Sequence, residues 1–161
     1  MSAFRIRDGR LPEDAVIGRA FILGLQVFEK AMEADRRVDA TVAGEFFDVL
    51  AARVAEKQGR IFIAEDADGA PIGWAACFVD ENEIYVEPEL RRYGYISELF
   101  VVENARGQGV GRALIARCED YFRALKLRVM MIGVLAKNTN ARRSYLTAGF
   151  RPYSEMLQKM L

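Results

Sequence analysis

A glycine-rich run at residues 106–111 is the feature of the sequence with the clearest chemical use. It contains Gly107, Gly109 and Gly111 at alternate positions, between a strand-like segment and an amphipathic helix. Glycine has no side chain to keep a ligand from the backbone, and the first amides of a helix have no partner within it. Because the helix dipole also favours negative charge there, the run predicts an anion site, with a plain helix-entry turn as the alternative.

Two common phosphate-binding motifs do not fit this run. A P-loop has Lys and then Ser or Thr after its last glycine, whereas Arg112 and Ala113 follow Gly111. A dinucleotide fingerprint that begins at Gly107 or at Gly109 needs a small third residue, where the chain has Arg112 or Leu114. A nucleotide-phosphate enzyme is therefore disfavoured, and no metal site is predicted.

The chain contains no histidine, which limits its acid–base chemistry. Ser-His-Asp and Cys-His catalysis, His-ligated zinc and an imidazole proton shuttle are excluded. Proton transfer must then fall to Glu, Asp, Tyr, Lys or Cys. Glu98 is notable among these, because an acid between Ser97 and Leu99 in a central strand is unusual. A structural ion pair is the alternative interpretation of this residue.

The elements that would position these groups follow from hydrophobic periodicity. Strands are predicted at residues 4–7, 60–64, 71–79, 93–102, 128–135 and 151–157. Helices are predicted from Pro12 to about residue 31, from after Thr41 to about residue 57, and at 110–125 and 138–148. Residues 80–92 are polar, acidic and turn-rich. This order predicts a single α/β domain over residues 1–161, with a mixed sheet packed against helices.

Composition and charge narrow the class of protein further. The chain has 161 residues, of which 52% are hydrophobic, as expected for one globular domain. Lys plus Arg and Asp plus Glu both number 23, which gives no support for nucleic acid or an anionic membrane as the partner. Cys77 and Cys118 predict two small buried thiols rather than a disulfide or a zinc site. Residues 15–28 are too short and polar to span a membrane, and residues 1–11 lack an apolar signal core, so we expect a cytoplasmic protein.

Two longer motifs lie between residues 98 and 150. The first is Arg106-x-x-Gly109-x-Gly111, directly after the strand Glu98-Leu99-Phe100-Val101. The second, one helix and one strand later, is Asn138-x-x-Ala141-x-x-x-Tyr145-x-x-x-Gly149-Phe150. Together they resemble the pyrophosphate loop and the other signature helix of the GNAT N-acetyltransferase superfamily. The resemblance implies a mostly antiparallel central sheet with helices on both faces. It also implies an enzyme that moves the acetyl group of acetyl-CoA to a primary amine.

The resemblance assigns the residues that would hold acetyl-CoA. The backbone of Leu99, Phe100 and Val101, in a splayed or bulged strand, would pair with pantetheine while their side chains line the core. The pyrophosphate would lie against the loop residues, mostly their amides: Arg106, Gly107, Gln108, Gly109, Val110, Gly111 and Arg112. Asn138, Ala141 and Tyr145 share one face of the second motif's helix and would border the cofactor. Asn138 would hold pantetheine or cap that helix.

The same resemblance implies how protons would move. Tyr145 would protonate, or donate a hydrogen bond to, the departing CoA thiolate. Ser144 is a weaker candidate for the donor. The alternative role of Tyr145 is that of an aromatic side chain packed in the core. Glu98 is the leading base for the amine, acting directly or through water.

An acidic cluster around Tyr85 predicts either a solvated hairpin or a surface for a cationic acceptor; its members are Asp80, Glu81, Glu83, Glu87 and Glu89.

The acceptor would be the amine of a small molecule or a peptide, and the resemblance leaves a homodimer open. The main alternative function is a non-catalytic acyl-CoA-binding or sensor domain. Tyr145 and Glu98 count against it, because a protein that only binds acetyl-CoA needs neither of them.

Overall fold

A computed structural model describes residues 4–161 and places a five-stranded sheet between two sets of helices. The first half contains β1 (Phe4–Asp8), α1 (Ala15–Lys30), α2 (Ala40–Glu56), β2 (Arg60–Asp66) and β3 (Pro71–Glu81). The second half contains α3 (Pro88–Arg91), β4 (Arg92–Val101), a 3-10 turn (Glu103–Ala105), α4 (Val110–Ala124), β5 (Met130–Ile132) and α5 (Thr139–Thr147).

The strands lie in the order β1-β2-β3-β4-β5. The first three pairs are antiparallel, and β4 and β5 are parallel. The β2–β3 hairpin turns at Gly69, whose φ of 84° is the left-handed conformation that glycine adopts most easily. The predicted mixed, mostly antiparallel sheet is therefore confirmed.

Each face of the sheet has its own hydrophobic core, because successive strand residues point to opposite sides. On one face, Trp74 packs with Phe47 of α2 and Phe21 of α1. A Cβ at Gly18 would lie 2.2 Å from the Phe47 ring, so this glycine lets α1 and α2 approach closely. On the other face, α4 contributes a buried stripe of side chains: Val110, Leu114, Ile115, Cys118 and Phe122. Helices thus cover both faces, as predicted.

A buried acid ties the edge strand to the sheet. Glu65 of β2 is 6% exposed and binds Arg5 at 2.8 Å and Arg7 at 2.6 Å. Arg7 also binds Asp14 at 2.7 Å, just before α1. The helix start predicted at Pro12 is therefore early by one turn, because the Asp14 carboxylate accepts from Arg7 and from the Arg10 amide instead of capping α1.

The end of the chain departs from the prediction. Residues 151–157 form no strand, and Tyr153, Met156 and Leu157 are exposed, so the segment has no buried face against which to pack. The strand predicted over residues 128–135 is shortened to Met130–Ile132. Cys77 and Cys118 are free and buried, as predicted. Within residues 4–161, no helix combines the length and apolar character needed to cross a membrane.

Candidate functional site

A bulge in β4 decides where its acid lies. Ala76 of β3 is opposite Glu98, but the next residue, Cys77, is opposite Ile96, so Ser97 is an extra residue in β4. In a regular strand, Tyr95 and Glu98 would lie on opposite faces of the sheet. The extra residue brings them to the same face, the one covered by α1 and α2, together with Phe100.

Beyond the bulge, β4 diverges from β5. The two strands pair only from Gly94 to Ile96 of β4. Residues 97–101 therefore have β3 on one side and, in the part of the chain that the structure describes, no strand on the other. This gap leaves one side of the β4 backbone over residues 97–101 without a partner among the described strands, and pairing of that backbone with pantetheine stays a prediction. At Val101 the carbonyl accepts from Arg106 Nε at 2.9 Å.

The glycine-rich loop opens onto the N-terminus of α4. Gly107 and Gly109 have φ values of 74° and 85°, and a Cβ at either would meet nothing within 4 Å among residues 4–161. Gly109 is the N-cap residue, so no side chain caps the helix, and its first turn contains no acidic residue. Free amides and the positive end of the helix dipole therefore face open space, which is the arrangement of an anion site.

Two loop side chains are held within the protein. The Arg106 guanidinium lies over Phe28, 4.6 Å from the ring centroid. Gln108 Nε2 donates to the Asn104 carbonyl at 2.9 Å. These contacts fix the shape of the loop and leave anion binding to the backbone. Contact of these residues, and of Val110 and Arg112, with acetyl-CoA stays a prediction.

The second motif forms α5, as expected. Asn138 Oδ1 accepts from the Ala141 amide at 3.1 Å, so Asn138 caps the helix, as its alternative role predicted. Tyr145 is half-buried and packs against Phe150, whereas Ser144 is exposed. Burial, assisted by the Glu29 carboxylate, raises the pKa of Tyr145 to about 12. The phenol therefore stays protonated at neutral pH and is suited to donating a hydrogen bond.

A pocket of about 290 Å³ lies beside the bulge, between β4 and the first two helices. Burial raises the pKa of Glu98 to about 7, and the Glu29 carboxylate adds to the effect. Within residues 4–161, the hydrogen-bond partner of Glu98 is Ser97, at 3.4 Å, and no basic side chain pairs with it. This is the environment of a base that works near neutral pH, and it disfavours the ion-pair interpretation.

Glu29 connects the two motifs electrostatically. Its charge raises the pKa of both Glu98 and Tyr145, so both groups lie within reach of one carboxylate. Sequence reasoning missed Glu29 and Arg36, which also line the pocket. The helical spacing of α1 could have indicated Glu29, because residues three, four and seven positions apart share a helical face. The residues on the face that lines the pocket are Ile22, Leu25, Gln26 and Glu29.

The acidic cluster at residues 80–89 lies outside the pocket lining. Asp80 binds Lys57 at 3.0 Å, and Tyr85 is 85% exposed. These features fit the solvated hairpin, the first of the two interpretations of this segment.

Comparison with known proteins decides the family of a chain with this loop, bulge and helix. The model of the Acetyltransferase (GNAT) family matches residues 26–150. The chain belongs to the GNAT family. An uncharacterized N-acetyltransferase of Archaeoglobus fulgidus is 32% identical over 96 residues, which are 60% of this chain and 62% of that relative. This GNAT chain thus spans less than two thirds of that relative's length.

Solved structures agree on the fold. A tetramutant of the BH1408 protein from Bacillus halodurans is similar over 98% of this GNAT chain and 99% of its own, with a TM-score of 0.82 and 20% identity. A predicted acetyltransferase from Clostridium acetobutylicum, solved with acetyl-CoA, covers 98% of this chain and 96% of its own, with a TM-score of 0.74 and 17% identity.

Proposed function

We propose that this protein transfers the acetyl group of acetyl-CoA to a primary amine of a small molecule or peptide by direct attack. The observation that carries the proposal is the bulge at Ser97. It places the buried Glu98 beside a pocket, while the same strand leads into the glycine-rich loop at α4. Family membership supports acetyl-CoA as the donor. The domain that does this work would extend over residues 1–161.

Acetyl-CoA would occupy the gap between β4 and β5. Pantetheine would pair with the backbone of Leu99, Phe100 and Val101, and the pyrophosphate would meet the loop and the first amides of α4. Asn138 and Ala141 would border the cofactor from the start of α5. The apolar side chains of β4 would meanwhile stay in the core, so that binding and packing use different atoms.

The amine nitrogen must lose two protons, one before it attacks and one as the amide forms, and the departing sulfur must take up one. An alkyl amine is an ammonium ion at neutral pH, since such amines titrate near ~10.4, as lysine does. Glu98, with its pKa near 7, would accept the first proton directly or through one water. The neutral nitrogen would attack the thioester carbonyl, forming the C–N bond and breaking the C–S bond, and its second proton would pass to the departing sulfur, directly or through water. Tyr145 would donate a hydrogen bond to the departing thiolate, because its high pKa makes full proton transfer unfavourable.

An acetyl-transfer screen over amine classes tests the proposal. Thiol release that requires both acetyl-CoA and an amine, with acetylated product seen by mass spectrometry, is the expected result. A protein that binds acetyl-CoA but acetylates no amine would instead be the acyl-CoA-binding or sensor domain. A control with alcohols of matched shape should release no thiol.

A further inference from the structure

The lining of the pocket beside Glu98 combines apolar and polar side chains. Ile22, Leu25 and Phe46 are its apolar members. Its polar members are Gln26 and Glu29 of α1, Arg36 of the following loop, and Ser97 and Glu98 of β4. We call this cavity the acceptor pocket. Its volume of about 290 Å³ would hold about ten water-sized groups, at ~30 Å³ each.

Gln26, a residue of the pocket lining, has a hydrogen-bond acceptor without a partner. Its Oε1 atom is closed to solvent, and no donor among residues 4–161 reaches it. A buried oxygen without a donor loses its bonds to water and gains none in return. Gln26 is three residues before Glu29 on the same helix, so both side chains lie on the face that lines the pocket. A small rotation of the Gln26 amide toward the cavity would let a ligand N–H supply the missing donor.

The charged side chains around the pocket determine whether it favours a cationic or an anionic ligand. Among the described residues, Arg36 is the one basic side chain in the lining. Its Nε binds Glu29 at 2.7 Å, and its Nη1 binds Asp35 at 2.9 Å. The guanidinium is therefore already neutralised by acids. An anionic group on a ligand would find no free cation here and would face the Glu29 and Glu98 carboxyls instead.

We propose that the acceptor pocket takes a small primary amine with an apolar body and no carboxylate, and that Gln26 accepts one ammonium N–H. This inference rests on the proposed function and narrows its acceptor class. The apolar body would lie against Ile22, Leu25 and Phe46. A second N–H would point to Glu98, so that Gln26 orients the nitrogen whose proton Glu98 removes.

Phenethylamine and phenylalanine test the charge rule, because they differ only by the carboxylate. Phenethylamine should be acetylated, with kcat/KM at least ~100-fold above that of phenylalanine, because burying an unpaired carboxylate is costly. Equal or better use of phenylalanine would overturn the inference. Release with peptides or polyamines but not with phenethylamine would overturn it while sustaining the proposed function. No release with any amine would overturn both.

Gln26→Met tests the hydrogen bond at nearly constant volume. The variant should raise the KM for phenethylamine roughly 10- to 100-fold, as expected for the loss of one charge-assisted hydrogen bond, with the KM for acetyl-CoA unchanged. The thermal midpoint should stay or rise, because a buried unpaired oxygen is removed. Gln26→Glu keeps an acceptor oxygen and should retain amine binding. Gln158→Met, at an exposed position outside the pocket lining, is the matched control.

A structural role for Gln26 gives the opposite pattern. The melting midpoint of Gln26→Met would then fall while the KM for the amine stayed at the wild-type value, and the inference would be overturned. The melting midpoint with phenethylamine alone, in the absence of acetyl-CoA, distinguishes the same two roles of Gln26. Phenethylamine should raise the midpoint of the wild-type protein and of Gln158→Met, and should lose most of that effect in Gln26→Met.

Discussion

Glu98→Gln removes the one ionisable group at the bulge while keeping its size. In the folded protein, burial raises the pKa of Glu98 from 4.5 to about 7. Between those values the folded chain keeps a proton that the unfolded chain has lost, so the free energy of unfolding falls as pH rises through this window. Gln carries no charge and does not incur this loss. The variant should therefore gain stability over wild type as the pH increases.

The size of the effect follows from the difference in pKa. At pH 8 the ionised, buried carboxylate costs about 3 kcal/mol relative to the unfolded chain, at 1.36 kcal/mol per pKa unit, whereas at pH 5 it costs under about 1 kcal/mol. Urea unfolding of both proteins at pH 5 and pH 8 should thus show a stability difference that grows by about 2 kcal/mol. In the same variant, turnover should drop at neutral pH and recover partly at high pH, where more amine is neutral.

Glu65→Gln is the matched control, because its sign is opposite. Arg7, followed by Arg5, lowers the pKa of Glu65, so this acid stabilises the fold above its unfolded pKa and loses that effect in acid. Its replacement should destabilise the protein by a similar amount at pH 8 and pH 5, and matter less only as the pH falls below about 4.5. A Glu98→Gln variant that behaves like Glu65→Gln would refute the assignment and restore the ion-pair interpretation. An unchanged pH–rate profile would refute the role of Glu98 as base.

Three further substitutions test the loop, the phenol and the charge that links them. Gly111→Asp should fold, since a Cβ there meets Val101 at 3.8 Å and nothing nearer among residues 4–161, and an acid suits a helix N-terminus. Its carboxylate should nonetheless abolish the rise in melting midpoint with acetyl-CoA, which Gly111→Ala should keep. Tyr145→Phe should lower turnover ~10²-fold with little change in acetyl-CoA affinity, and equal turnover with chemistry rate-limiting would leave Tyr145 as a packing residue. Glu29→Gln should move the acid limb of the pH–rate profile to lower pH, because Glu29 raises the pKa of Glu98. Glu33→Gln removes a carboxylate that pairs with Lys137 at 3.3 Å and that does not contribute to the Glu98 shift, so it should leave that limb in place.

The sheet and its helices could be predicted because their periodicities are regular. The continuous apolar runs of β2 and β3, bounded by turn residues, and the apolar stripe of α4 each identify an element. The same reasoning failed at residues 151–157, where a strand-like pattern is exposed along its whole length and pairs with no strand among residues 4–161. Alternating apolar residues favour a strand only where a neighbour covers one face, and the position of that neighbour is not local information.

The site could be predicted only in part, for a related reason. Positive φ angles at Gly107 and Gly109 follow from residue type, and an acid in a central strand was conspicuous. The resemblance implied a splayed or bulged strand at residues 99–101, but the residue types near it do not show that the extra residue of β4 is Ser97. Without the bulge, Glu98 would point toward the α4 core. The contribution of α1 to the pocket was likewise hidden in a helix that looked like a simple core element.

Because the chain has no histidine, the proposed base near neutral pH is a carboxyl group, Glu98. A carboxyl in water has a pKa near ~4 and is too weak a base to deprotonate an amine efficiently at neutral pH. Low polarity around the group raises its pKa, but the same burial destabilises the folded protein once the group ionises. The two ion pairs of Glu65, which join β1 to β2, lower the pKa of that carboxyl and stabilise the fold throughout the pH range in which Glu98 ionises. This paired acid, away from the site, contributes stability at the pH where ionised Glu98 reduces it.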